Sequence, residues 1–143
     1  CWHLFNYIGT FYLTKLLLPL LEKNQGRICN ITVPSTFSPY WHPMAYVASK
    51  AGQNTMIATM GWEFDHFHVP VEAFTIHPGA TSTDLNGHYD GPGSHHPNRV
   101  ELDKPGSHQP DVIGQKVAEI INDGKRHNGE FIELYPIVDE GNY

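Results

Sequence analysis

Tyr46-Val47-Ala48-Ser49-Lys50-Ala51-Gly52 stands near the start of an apolar-periodic run that extends from Met44 to Phe67. Met44, Val47, Ala48 and Ala51 sit at i, i+3, i+4 and i+7, the spacing that lines one face of a helix. Small residues crowd its first half (Ala45, Ala48, Ser49, Ala51, Gly52) and allow another backbone to come close. The run is flanked by two shorter apolar stretches rich in β-branched residues, Ile28 to Val33 before it and Val71 to Ile76 after it. Both have the pattern of buried strands, and the second ends at Pro78-Gly79. Strand, long helix and strand in that order predict a βαβ unit with parallel strands and a right-handed crossover.

Further out, residues 3 to 23 predict a helix with a wide apolar face: Leu4, Phe5, Ile8, Phe11, Tyr12, Leu16, Leu17 and Leu20. Pro19 is expected to bend or tighten its last turn, and Gly26 to stop it. Pro34 to Pro43, with three prolines, reads as a loop. Asp84 to Gln109 has no clear periodicity and is rich in Gly, Pro and His; a segment this long in a compact domain is expected to be functional or disordered. Pro110 suits a first helical turn, with Ile113, Val117, Ile120 and Ile121 marking the helix, and Glu130 to Tyr135 reads as a last short strand. The expected fold class is α/β, with parallel strands and flanking helices.

The 143 residues, 40 % of them apolar, suffice for one compact domain and not for two ordinary ones. Nine Lys and Arg against 15 Asp and Glu leave a net charge of −6, without the basic stripe of a nucleic-acid binder. No apolar run approaches the length of a membrane span. Two cysteines make no disulfide framework, so a reducing, cytoplasmic setting is expected. The chain opens at Cys1 in what reads as the middle of an apolar helix, so sequence upstream is expected to be missing.

Tyr46 and Lys50, four residues apart, share one helix face. Free tyrosine has a pKa of ~10 and is a poor base at neutral pH, but a nearby ammonium stabilises phenolate. The pair is therefore a candidate acid/base unit. The same stretch resembles the YxxSK signature of the short-chain dehydrogenase/reductase family. Asn6-Tyr7-Ile8-Gly9-Thr10-Phe11 resembles that family's NxxGxF helix, Gly26 to Ile31 its GxIxNI strand, and His77-Pro78-Gly79 with Thr83 its PG…T segment, in the family's order and spacing. The resemblance implies a partial Rossmann-like fold: a single truncated domain over residues 1–143, the C-terminal portion without the dinucleotide-binding half, with 84–109 as a substrate loop or lid. It further implies that Tyr46 exchanges a proton with the substrate oxygen and that Lys50 depresses the Tyr46 pKa and binds the nicotinamide ribose. Asn6 would help hold a relaying water, and Pro78, Gly79 and Thr83 would border the nicotinamide of NADP or NAD.

Two departures stand out. The family's catalytic serine, counted from Asn30 and from Tyr46, falls on Val33, which cannot donate a hydrogen bond. Thr32 is expected to face the other side of the strand, which leaves Ser35 as the replacement candidate. The glycine-rich turn that seats the pyrophosphate has no counterpart before Asn6. Gly87-His88-Tyr89-Asp90-Gly91-Pro92-Gly93 matches it only as letters, without a strand before it or a helix after it. The ten histidines show no metal-ligand spacing, and no metal site is expected.

The expectation is an NAD(P)-dependent oxidoreductase acting on a carbonyl or alcohol, a small and fairly apolar one given Tyr40, Trp41 and Tyr89. Two alternatives stand beside it. One is a cofactor-independent isomerase, dehydratase or cyclase with no cofactor in this truncated chain. The other is a non-catalytic remnant. A homo-oligomer formed through the helices bearing Asn6 and Tyr46 is implied by the resemblance, with no nucleic-acid or membrane partner.

Overall fold

A computed structural model describes residues 3–33, 44–79, 81 and 108–135. Three strands, β1 (Arg27–Ile31), β2 (Glu72–His77) and β3 (Phe131–Glu133), form a parallel sheet in that order. The helices are α1 (Thr10–Asn24), α2 (Met44–His66) and α3 (Pro110–Ile121), with a π-helix, His3–Gly9, leading into α1. The βαβ unit expected around the Tyr46 stretch is thus present: β1 and β2 pair directly, Cys29 opposite Phe74 and Ile31 opposite Ile76.

β2 is the central strand, and Ala73 to His77 are all buried. Adjacent residues of a strand point to opposite faces. Ala73 faces α2, whose Gly61 lies against the Ala73 carbonyl and the Gly129 backbone. Phe74 faces the other way, its ring 5.3 Å from that of His127 after α3. Helices therefore flank the sheet on both sides. The core on the α2 side is Ile57, Phe64, Val71 and Ala73, closed by Leu18, Leu21, Ile28 and Met60.

The N-terminal helix differs from expectation in two ways. Its first seven residues are π-helical, not α-helical. Its stop is Gln25, not Gly26: Gln25 takes the left-handed conformation at φ 51°, and Gly26 N–H reaches back to the Leu21 carbonyl at 2.8 Å. A Cβ at Gly26 would press mainly on the end of the Leu21 side chain, which can move, so the position does not demand glycine. The helix runs through Pro19 to Asn24.

Arg27 ties the start of β1 to the end of α3. Its guanidinium donates to the Ile121 carbonyl at 2.7 Å, the favourable end of a helix for a cation, and pairs with Glu72 at 3.4 Å. Next to it, His127 lies between Asp123 (3.0 Å) and Glu130 (2.7 Å). The loop 34–43 and the segment 84–107 lie outside the described residues.

Candidate active site

The site forms at the C-terminal ends of β1 and β2, where ligands bind in open parallel sheets. Lys50, on the second turn of α2, donates to the Ile31 carbonyl at 3.1 Å. The register partner of Ile31 is Ile76, so the ammonium lies at the same edge as His77-Pro78-Gly79. Tyr46 precedes Lys50 by one helical turn and is half-buried.

Burial raises the Tyr46 pKa and lowers that of Lys50. The expected depression of the Tyr46 pKa by Lys50 is therefore not met in this state. Desolvation disfavours both charged forms, and the ammonium is directed to two oxygens, those of Ile31 and Gln53.

Asn6 comes to α2 from the π-helix. Its side chain donates to Ser49 Oγ at 3.0 Å, and the Ser49 hydroxyl donates to the Tyr46 carbonyl at 2.7 Å. The Asn6 carbonyl accepts the Thr10 hydroxyl at 2.9 Å. A π-turn widens the helix by one residue and frees backbone groups for such contacts. Asn6 and the Tyr46–Lys50 segment are thus brought together.

At the end of β1, Asn30 is buried, and its Nδ2 lies 3.3 Å from both Asn54 Oδ1 and Thr75 Oγ1. The Val33 carbonyl accepts from Asn54 Nδ2 at 3.0 Å and from the Thr32 hydroxyl at 3.3 Å. Thr32 is buried, its N–H continues the ladder to the Ile76 carbonyl, and its hydroxyl is committed to the Val33 carbonyl. Ser35 and Thr83 lie outside the described residues.

Gly79 adopts φ +79°, a conformation that favours glycine, and its α-carbon faces the Tyr135 side chain. Tyr135 stacks on His108, and Thr81 bridges to His108. His77 is buried, its Nδ1 without a hydrogen-bond partner among the described residues, and burial lowers its pKa below the ordinary histidine value. Among the described residues no group of three or more His, Cys, Asp and Glu can hold a metal.

Sequence reasoning missed Gln53, Ser49, Asn54 and Asn30. A signal existed for Gln53, which falls on the Tyr46 and Lys50 face at +7 and +3.

Residues 4–91 match the sequence pattern of the short chain dehydrogenases, more than half of the chain. The chain belongs to the short-chain dehydrogenase family. Within the family it is 34 % identical over 85 residues to rat estradiol 17-beta-dehydrogenase 2, an alignment covering 59 % of this chain and 22 % of the relative. It is 37 % identical over 79 residues to human 11-beta-hydroxysteroid dehydrogenase type 2, covering 55 % of this chain and 19 % of the relative. A mutant 4-hydroxyisoleucine dehydrogenase solved with NADH and succinate superposes with a TM-score of 0.66 at 21 % identity, over 90 % of this chain and 54 % of the other. The chain spans about a fifth of the length of those two curated relatives and about half of that solved chain. The expected Rossmann-like α/β class is the fold of these structures. Among the described residues no helix is long and apolar enough to cross a membrane.

Proposed function

We propose that this chain carries the proton-transfer and nicotinamide-facing half of an NAD(P)-dependent oxidoreductase that interconverts an apolar alcohol and its carbonyl. The observation that carries the reading is the position of Lys50: one turn from Tyr46, its ammonium on the Ile31 carbonyl at the edge where Pro78-Gly79 turns. An ammonium has three N–H groups. Two are directed to Ile31 and Gln53, and the third suits a ribose hydroxyl. The residues fit the nicotinamide end of the cofactor.

In this reading Tyr46 delivers its phenolic proton to the carbonyl oxygen and recovers one in the reverse direction. The bound nicotinamide supplies or accepts the hydride. Lys50 steadies the ribose and stabilises the phenolate as it forms. Asn6 holds Ser49 and, through it, the first turn of α2 that presents Tyr46. The proposal extends to Ser35 as the carbonyl donor in place of Val33, and to Thr83 beside the nicotinamide carboxamide. Residues 84–109 would cover the substrate, within a single domain spanning 1–143. The steroid dehydrogenases it resembles support a flat, apolar substrate.

The test is titration of the chain with NADH and with NADPH, followed by turnover with estradiol and its ketone as probes. Weak but saturable binding is expected, since no glycine-rich turn precedes Asn6 to seat the pyrophosphate, weakening further in Lys50→Ala, with turnover lost in Tyr46→Phe. Absence of saturable binding to either nucleotide overturns the reading.

A further inference from the structure

We infer that Gln53 is the positioning residue that aims the Lys50 side chain, by linking its ammonium through Thr10 to the π-helical turn at Asn6. Its relevance to the reaction rests on the role of Lys50 proposed above, whereas the hydrogen-bond chain does not. Gln53 is only 6 % exposed, on a helix face that otherwise packs Ile57 and Phe64 into the core. A buried carboxamide in such a place is costly unless both of its ends are satisfied. Both are: Oε1 accepts from Lys50 Nζ at 3.1 Å, and Nε2 donates to Thr10 Oγ1 at 2.8 Å.

The direction of the chain follows from chemistry. An ammonium only donates, so the oxygen end of Gln53 must face Lys50. The amide nitrogen then faces Thr10, whose hydroxyl proton is left to the Asn6 carbonyl, 2.9 Å away. Every donor points away from Lys50, an arrangement that polarises each bond in favour of the charged ammonium. An amide does not readily pass a proton on, so Gln53 holds Lys50 without relaying for it. Among the described residues the ammonium's other hydrogen-bond partner is the Ile31 carbonyl of β1, Tyr46 lies one helical turn earlier on α2, and no carboxylate is paired with the ammonium. Gln53 is therefore the side chain best placed to set both the direction and the charge of Lys50.

The test is an NMR titration of the full chain grown with [13Cε]-lysine. Lys50 is identified by the resonance lost in Lys50→Arg. In Gln53→Leu the acceptor is gone, and the acid dissociation constant of Lys50 rises about tenfold. In Gln53→Glu, nearly the same shape, a carboxylate faces the ammonium and the constant falls by about as much. A purely structural Gln53 changes the melting temperature and leaves the Lys50 titration where it was. An unchanged Lys50 titration in folded Gln53→Glu overturns the inference, as does Gln53→Leu moving it upward in pH; should the leucine variant not fold, the glutamate variant decides alone. Because the titration needs no nucleotide, failure of NADH binding leaves its outcome readable, and the two ideas fail separately.

Discussion

Desolvation acts on Tyr46 and Lys50 in opposite chemical senses and the same electrostatic one: the phenol holds its proton to higher pH and the ammonium loses its own at lower pH. A protonated Tyr46 is the form that delivers a proton to a carbonyl. Alcohol oxidation needs the phenolate, whose fraction rises about tenfold per pH unit below its pKa. With that pKa raised above the ordinary tyrosine value, kcat/KM for oxidation is expected to climb through the neutral range while that for reduction stays flat; a pH–rate profile in both directions checks this. The residue at position 33 makes a second prediction. Val33 offers a carbonyl already holding Asn54 and Thr32, and an apolar side chain at the position where the family resemblance implies a donor. With Ser35 supplying that donor, Ser35→Ala is expected to lower kcat ~100-fold, the magnitude associated with one oxyanion-type donor, and Val33→Ser added to it to restore most of the loss. Steady-state kinetics of the variants against the parent measures it. That Tyr46 and Lys50 share one helix face was legible in the sequence because a spacing of four is set by helix geometry; their candidacy as a site came from the family resemblance. Gln53 was not legible, because a glutamine in a helix is ordinary until the partners on α1 are known to face it, and periodicity within one helix does not say which other helix it meets.

At the scale of elements, the boundaries of the βαβ unit were readable to within a residue or two, since β-branched runs and a Pro-Gly stop mark them locally. The π-helix was not, since nothing in the local spacing of Phe5, Tyr7 and Ile8 separates a π-turn from an α-turn. Nor did the sequence reading say where α2 comes closest to the sheet. The small residues of its first half suggested contact there, and Gly52 does lie against the Tyr7 ring. The tightest point is Gly61, where a Cβ would collide with the Gly129 and Ala73 backbones. Backbone cannot swing aside as a side chain can, so Gly61→Ala is expected to cost about 1–3 kcal/mol, as overpacking does. Urea unfolding of the variant gives the number. The α3–β3 connection carries the pH response of the sheet edge. Burial pulls the pKa of His127 down, yet the hydrogen bonds and charges of Glu130 and Asp123 together raise it above the ordinary histidine value. Histidine held in its charged form stabilises the fold fully below the unfolded-chain pKa of ~6.5 and loses that contribution as pH rises through the folded pKa. Melting temperature is thus expected to fall across neutral pH towards the alkaline side, and His127→Gln to flatten that slope.

On the whole molecule, α1 sets an unusual condition: Thr14 is its only buried residue, while Phe11, Tyr12, Leu13, Leu16 and Leu20 are all exposed. Leu16 is 77 % exposed, and Phe5 on the π-helix 76 %. A contiguous apolar surface of this kind marks an association site. Two separate concavities border it. One runs between the N-terminal helices and α2, lined by Tyr7, Phe11, Met56 and Met60, with a volume of about 500 Å³. The other lies between α1 and β1, lined by Leu13, Leu17, Cys29 and Ile31, beside the edge of β1 that among the described residues has no strand paired to it. An unpaired edge invites another strand, whereas a helical groove invites a second pair of helices. The homo-oligomer that the family resemblance implies, through the helices of Asn6 and Tyr46, would use the first. Burying one phenylalanine contributes about 1.5–3 kcal/mol, and 1.4 kcal/mol is tenfold in affinity. Phe11→Glu is therefore expected to weaken self-association at least ~10-fold by sedimentation equilibrium, while Leu13→Glu, on the sheet-edge side, leaves it within ~2-fold. The opposite ranking would place the contact at the free edge of β1 and remove the helices bearing Asn6 and Tyr46 from the interface.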